Sequence, residues 1–375
     1  MKKVYFPNLN GLRFIAALLV IIHHIEQLKN IFNLDNFYHD LPFIPIIGKL
    51  GVILFFVLSG FLITYLLLAE EEVTGTISIK DFYIRRLLRI WPLYYLIVIL
   101  SFFILPFIPF LEVGDYTSQL FDSYNLKVLL FFLFLPNLAL ITFPPVPFAS
   151  QSWSVGVEEQ FYLLWPLLMK KSKYKLRLLF GVIALYFVVK FGINVYAKLF
   201  GVTEWTTLLY GFVGGFSIDC MAIGGVLAYW LYEKNNILKW LYSKYTQYLV
   251  YLILFVLIGF GVKIPHIHYE FYGVLFGIAI LNLASNKETI FNLENSILNY
   301  LGKVSYGLYM FHPLAIVIIL KTLMFFNIEN VVLQYVLSIG LTILISGFSY
   351  KFFESYFIKK KVKFSKVLSG DNVKK

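Results

Sequence analysis

The chain has 375 residues, 59% of them hydrophobic, 19% aromatic and only 14% charged, and its mean hydropathy is +0.77. That composition excludes an ordinary soluble domain, in which about a quarter of residues are charged, and indicates repeated membrane-spanning helices. The net charge of +11 sits in short clusters between apolar runs, which argues for orientation in a bilayer and against nucleic-acid binding, and the lone Cys220 excludes an intrachain disulfide.

Windows of about 20 apolar residues predict ten spans, at 9–29, 47–69, 89–111, 153–169, 178–198, 207–232, 245–262, 268–285, 297–320 and 331–352. With Lys2 and Lys3 cytoplasmic, the basic clusters at 80–89, 170–177, 234–244 and 359–366 all fall on the cytoplasmic side, and so do both termini. The segment 127–143, KVLLFFLFLPNLALITF, is apolar enough for another crossing but would invert everything after it. Pro136, Pro144, Pro145 and Pro147 favour a re-entrant or partial segment instead. After MKKVYFPN no small-residue cleavage site is visible, so no cleaved signal peptide is expected. The predicted fold is all-α, a polytopic integral membrane bundle of about ten transmembrane helices plus that partial segment. One domain is expected over 1–358, with a basic cytoplasmic tail at 359–375.

The first span reads NLNGLRFIAALLVIIHHI. Ionisable groups in a lipid-embedded helix are costly, so Arg13 and His24 are expected to face protein or water and to mark function. Eleven residues at about 100° each bring them within ~20° of one face and ~16 Å apart along the axis, with His23 about 80° off the stripe. A cation near one surface and an imidazole deep in the span suit a ligand with an anionic head and a reactive group on a long arm. In the second span, FFVLSGFLI places Ser59 and Gly60 mid-helix, where small residues permit close packing. The same close approach would admit a thin acyl arm.

The third span opens with FYIRRLLRIWPLYY at 82–95, which sets Arg85, Arg86 and Arg89 on neighbouring positions of one turn. They are either positive-inside anchors beside Trp91, Tyr94 and Tyr95 or a guanidinium clamp for phosphates, the reading favoured with Arg13 at the same end. The fourth span opens with SQSWSVGVEEQFYLLWP, where Ser154, Glu158 and Tyr162 recur at i, i+4 and i+8. Glu159 points about 100° away from that face. Adjacent glutamates at a helix start suit the dipole. Even so, Glu158 lies about one to two turns in, near the depth of His24, and a histidine–carboxylate contact is feasible. Asp219, in FSIDCMAIGG, is a mid-span acid and serves either a site or a structural hydrogen bond. The ninth span, GKVSYGLYMFHPL, carries Ser305, Tyr309 and His312 on one stripe, His312 in the same layer as His24. Pro313 is expected to kink this helix and free a carbonyl for ligand or water. His39, His266 and His268 read as surface residues, and no metal, Walker or nucleophile-elbow signature is present.

Taken together, NLNGLRFIAALLVIIHH, GVILFFVLSGFLI, FYIRRLLRIWPLYY, WSVGVEEQFYLLWP and SYGLYMFHPL resemble, in order, the blocks of the acyltransferase-3 family of bacterial integral-membrane O-acyltransferases. SYKFFES around Glu354 is a weaker echo, and Gly307 stands where many relatives have serine. By that resemblance, Arg13 and His24 match the family's arginine–histidine pair, Arg86 and Arg89 its two-arginine motif, and Trp153, Ser154, Glu158 and Tyr162 its tryptophan–serine–glutamate block. The family implies transfer of an acyl group, often acetyl, from cytoplasmic acyl-CoA to a hydroxyl of a surface polysaccharide or lipid-linked glycan, in the bacterial cytoplasmic membrane. No tightly bound cofactor or metal is implied. Many relatives carry an extracytoplasmic hydrolase-like domain after the bundle, and none is expected here, so any second envelope enzyme is a separate partner. Catalytic candidates are His24, Glu158, Tyr309 and His312; donor-binding candidates are Arg13, Arg85, Arg86 and Arg89. Ser59, Gly60, Trp153, Ser154, Tyr162, Ser305 and Asp219 are candidates to shape the site. The competing expectation is a permease with a buried proton relay.

Overall fold

The computed structural model describes residues 2–370. Its elements in chain order are β1 (Lys2–Val4), α1 (Leu9–Ile31), α2 (Ile44–Thr74), α3 (Ile79–Phe103), α4 (Asp115–Gln119), α5 (Tyr124–Phe132) and α6 (Pro136–Thr142). There follow α7 (Trp153–Lys171), α8 (Lys175–Phe200), α9 (Glu204–Phe216), α10 (Ile218–Tyr232), α11 (Ile237–Leu241), α12 (Lys244–Gly259) and α13 (His268–Ser285). The chain closes with α14 (Ser296–Lys303), α15 (Ser305–Phe325), α16 (Val331–Ser349), α17 (Ser355–Lys361) and β2 (Val367–Ser369).

The fold is nearly all helical, with one correction to the all-α expectation: β1 and β2 pair in parallel, Lys2 opposite Val367 and Val4 opposite Ser369. Among the described residues, seven helical stretches are long and apolar enough to cross a membrane. Those expected at 153–169, 245–262 and 268–285 are helices too, but fall outside that set. The reason is local. α7 carries Glu158, Glu159, Lys170 and Lys171, α12 has only 16 residues, and α13 begins with His268 and Glu270. The window 207–232 breaks at Ser217, which adopts a left-handed φ of 34°, and 297–320 breaks at Val304.

Segment 127–143 forms no single helix. α5 runs beside α3, with the Tyr124 hydroxyl donating to the Phe102 carbonyl at 3.0 Å and the Tyr94 hydroxyl to that of Phe131 at 2.7 Å. The chain turns at Phe134, φ 57°, whose ring stacks on Tyr94 at 4.2 Å. α6 then returns, held by amide hydrogen bonds between Asn137 and Gln160. At about 1.5 Å per residue neither piece can span a hydrocarbon core of about 30 Å.

The centre of the bundle is α2 against α10. A Cβ at Gly60 would lie 1.9 Å from the Met221 carbonyl oxygen, and one at Gly224 only 2.0 Å from that of Val57, so only glycine lets the two backbones touch. The basic clusters converge on the glutamates that end α2. Lys2 pairs with Glu72 at 2.6 Å, Arg85 with Glu70 at 2.8 Å and Lys175 with Glu71 at 2.8 Å, while Tyr232 donates to Glu72. One end of the molecule therefore gathers residues near 2, 85, 175, 232 and 366. The described part of the segment expected as a basic cytoplasmic tail is packed there: the Phe364 carbonyl accepts from Arg85, Lys366 lies 3.8 Å from Asp81, and Val367 is buried against Val4 and Ala69. Residues 371–375 lie outside the described part.

Candidate active site

A cavity of about 280 Å³ opens at the basic end, lined by residues of α1, α2, α3, α7 and α15 and of the C-terminal segment. Its mouth holds the cations. Asn8 starts α1 in a left-handed conformation and is fixed by its side chain, which donates to the Leu283 carbonyl at 2.9 Å and accepts from the Leu293 amide at 2.6 Å. Two residues on, the side-chain Oδ1 of Asn10 accepts from Arg13 at 2.7 Å and aims that guanidinium. Arg86 and Arg89 line the same cavity from α3. The Arg86 guanidinium lies over the rings of Tyr162 and Phe82, 5.3 and 5.4 Å from their centroids, and its buried Nε has no acceptor. Among the described residues, the side chains of Arg86 and Arg89 make no hydrogen bond or ion pair. Arg85 does not line this cavity. Its guanidinium is spent on Glu70 and on the Phe364 carbonyl, each near 2.8 Å.

Farther in, α7 presents the predicted stripe. Ser59 donates to Tyr162 at 2.5 Å, and Tyr162 donates to Glu158 at 2.9 Å. Glu159 faces away and accepts from Trp91 at 3.0 Å, the structural role expected of it. Ser305 and Tyr306 line one wall from α15, and Ser154, Tyr309 and Phe55 close the inner end. Tyr309 donates to the Gln151 carbonyl at 2.7 Å and accepts from Ser154 at 2.7 Å, so its proton is committed to the protein.

Beyond Tyr309 lie the histidines, outside the cavity wall. Pro313 has no N–H for the Tyr309 carbonyl four residues back. The sequence leaves that carbonyl open for ligand or water; in the fold His312 takes it, Nδ1–H donating at 2.7 Å. That contact leaves a lone pair on His312 Nε2, 3.2 Å from His24 Nδ1. His24 Nδ1 also lies 2.9 Å from the Val20 carbonyl, which can only accept. The pattern assigns the proton to His24 Nδ1, shared between Val20 and His312, and leaves His24 Nε2 with a lone pair. The expected contact between His24 and Glu158 is not made: Tyr162 holds the carboxylate at the cavity, while His24 rests on α15. His24 is half-buried although it does not line the cavity.

Besides Arg85, three more predicted site residues fall elsewhere. Gly60 packs on α10 as described, Trp153 lies 3.8 Å beneath the Lys49 ammonium, and Asp219 is buried beside Cys220 with one oxygen unpartnered. The sequence reading missed Asn10, Gln151, Tyr306 and Lys361. Asn10 and Gln151 stand beside motif residues with no charge to flag them, and Lys361 is one of three consecutive lysines. Among the described residues, no group of three His, Cys, Asp or Glu side chains is placed to hold a metal.

A family model described as an acyltransferase domain matches residues 6–351. The chain belongs to that acyltransferase family. The match spans the cavity-lining parts of α1, α2, α3, α7 and α15 and both histidines, and stops before α17. Similar to this family member is the O-acetyltransferase OatA of Staphylococcus aureus strain NCTC 8325, 28% identical over 373 residues, covering 95% of this chain and 58% of the relative. The peptidoglycan O-acetyltransferase OatA of Listeria monocytogenes serovar 1/2a is 34% identical over 170 residues, covering 44% of this chain and 24% of the relative. The chain spans about three-fifths of the length of the curated relatives that it matches end to end. No solved structure matches it.

Proposed function

We propose that this protein is a multi-pass membrane O-acyltransferase that moves an acyl group, acetyl in the first instance, from cytoplasmic acyl-CoA to a hydroxyl of a cell-envelope glycan. One observation carries the reading. Arg86 and Arg89 face the mouth of a cavity with no acid paired to them, and Arg13 of the same mouth sits on the helix whose His24 has Nε2 available as a base. Unpaired guanidinium groups favour phosphate, which they bind through charge-assisted, bidentate hydrogen bonds. The names of the relatives support acetyl as the group and a glycan as the acceptor. A permease lacks that support, since the family is one of acyltransferases.

In this scheme Arg13, Arg86 and Arg89 hold the phosphates, and the pantetheine arm runs inward past Ser59, Tyr162 and Glu158. The acceptor oxygen attacks the thioester carbonyl, and His24 Nε2 takes the hydroxyl proton. The C–S bond breaks, the thiolate leaves with that proton as CoA thiol, and the acyl ester remains on the acceptor. His312, whose Nε2 accepts from His24 Nδ1, replaces the expected Glu158 as the group that orients the base and supports its charged form. Tyr309 and Phe55 close the inner end of the cavity, so the thioester reaches His24 when these rings shift. The basic end is assigned to the cytoplasm, with ten crossings, both termini inside and the α5–α6 hairpin re-entrant.

The test is the acyl content of envelope glycans, measured by mass spectrometry in cells with the gene, without it, and with His24→Ala. Loss of O-acetyl in the last two supports the proposal. Identical acylation in all three contradicts it.

A further inference from the structure

The matched family region ends at residue 351, yet the cavity wall does not. Lys361, at the end of α17, lines the mouth, and so do Ser369, the last residue of β2, and Gly370 after it. Lys361 is half-buried, and its ammonium makes no hydrogen bond or ion pair among the described residues. A lysine in that state beside Arg13, Arg86 and Arg89 is opposed by like charge, and such an arrangement is relieved when an anion enters. The lysine is not on a loose tail. After α16 the helix continues through a π-helical turn at Tyr350–Glu354 into α17, and the Arg85 guanidinium then grips the Phe364 carbonyl at 2.7 Å. The β1–β2 ladder fastens the far side through buried Val4 and Val367. A pinned cation loses little freedom on binding, so its attraction to an anion is not offset by ordering.

We propose that the C-terminal segment 355–370 is a strap that completes the donor site, with Lys361 as a further phosphate-binding residue for the acyl-CoA head. The inference rests on the donor reading above. It gives Arg85 a different part from its two neighbours: it holds the strap and does not touch the ligand.

The experiment is calorimetric titration of the full chain, in neutral detergent, with coenzyme A and separately with pantetheine, which carries no phosphate. Lys361→Ala should weaken coenzyme A binding about tenfold, and Lys361→Arg should restore most of it. Pantetheine binding should be the same in all three proteins. Equal melting temperatures separate loss of a contact from loss of fold. Undiminished coenzyme A binding by Lys361→Ala, in a preparation where Arg86→Ala binds weakly, overturns the strap while leaving the donor reading intact. Absence of coenzyme A binding by the wild-type protein overturns both. Loss of coenzyme A binding when phosphatidylglycerol is added to the micelles would assign Lys361 to a lipid headgroup and overturn it as well.

Discussion

A guanidinium that faces a cavity without a hydrogen-bonded acid is at a disadvantage until an anion arrives, and Arg86 and Arg89 are both in that state, with Glu158 and Glu354 in the same cavity but paired to neither. Each replaced by alanine should raise the KM for acyl-CoA, since a charge-assisted hydrogen bond contributes about 1.5–3 kcal/mol, or roughly ten- to a hundredfold. Steady-state kinetics with acetyl-CoA varied checks this, and an unchanged KM in both variants excludes the clamp. His24 belongs to the other class. His24→Ala should lower kcat about a hundredfold or more with little change in KM, because it removes the base and leaves the donor grip. His312→Ala should lower kcat by less than His24→Ala, because it removes only the acceptor of the His24 Nδ1 proton and leaves Nε2 in place. Most of these residues were legible in the sequence because buried charge in a span stands out. The tautomer was not, because it depends on a carbonyl that Pro313 frees and His312 then occupies. The partner of His24 was misjudged for a related reason: helical spacing gives depth and face but not which neighbouring helix lies opposite.

At the scale of elements, Arg85 shows how one turn separates roles. It sits next to Arg86 in sequence, but its partners are the nearly buried Glu70 and the Phe364 carbonyl. Among the described residues, Arg85→Ala leaves the Glu70 carboxylate with only the Ser78 amide, at 2.9 Å. Breaking a buried pair in this way costs about 3–5 kcal/mol, so the variant should melt well below the wild type in a detergent thermal-shift assay. An unchanged melting temperature would show that the pair is not structural. The α2–α10 contact makes a second demand. Gly60→Ala places a methyl group where the Met221 carbonyl stands and should destabilise by ~1–3 kcal/mol, read as a lower melting temperature and yield. Spacing alone placed Ser59 and Gly60 together as small residues. The fold separates them, one on the cavity and one on the helix crossing, because 100° of rotation puts consecutive residues on different faces.

For the whole molecule, the predicted windows found the helices, because apolar length is set by the bilayer and is read directly from composition. The parts that hydropathy did not give are those set by tertiary contact: the break at Ser217, the hairpin at Phe134 and the strap that returns the C-terminal segment to β1. The gathering of basic clusters on Glu70, Glu71 and Glu72 supports one orientation for the chain. Cysteines introduced at Lys3 and Lys173, with Cys220 buried and silent, should react with a membrane-impermeant maleimide from the same side. Reaction from opposite faces would restore a further crossing between them. On the proposed function, donor and base meet along α1. This is tested most directly by thiol release from acetyl-CoA by purified protein in proteoliposomes, with a panel of lipid-linked and polymeric glycans as acceptors. The wild-type protein should release coenzyme A at a rate that depends on the acceptor, and His24→Ala should not, although it still binds coenzyme A. Acceptor-dependent release at the wild-type rate by His24→Ala would contradict the account.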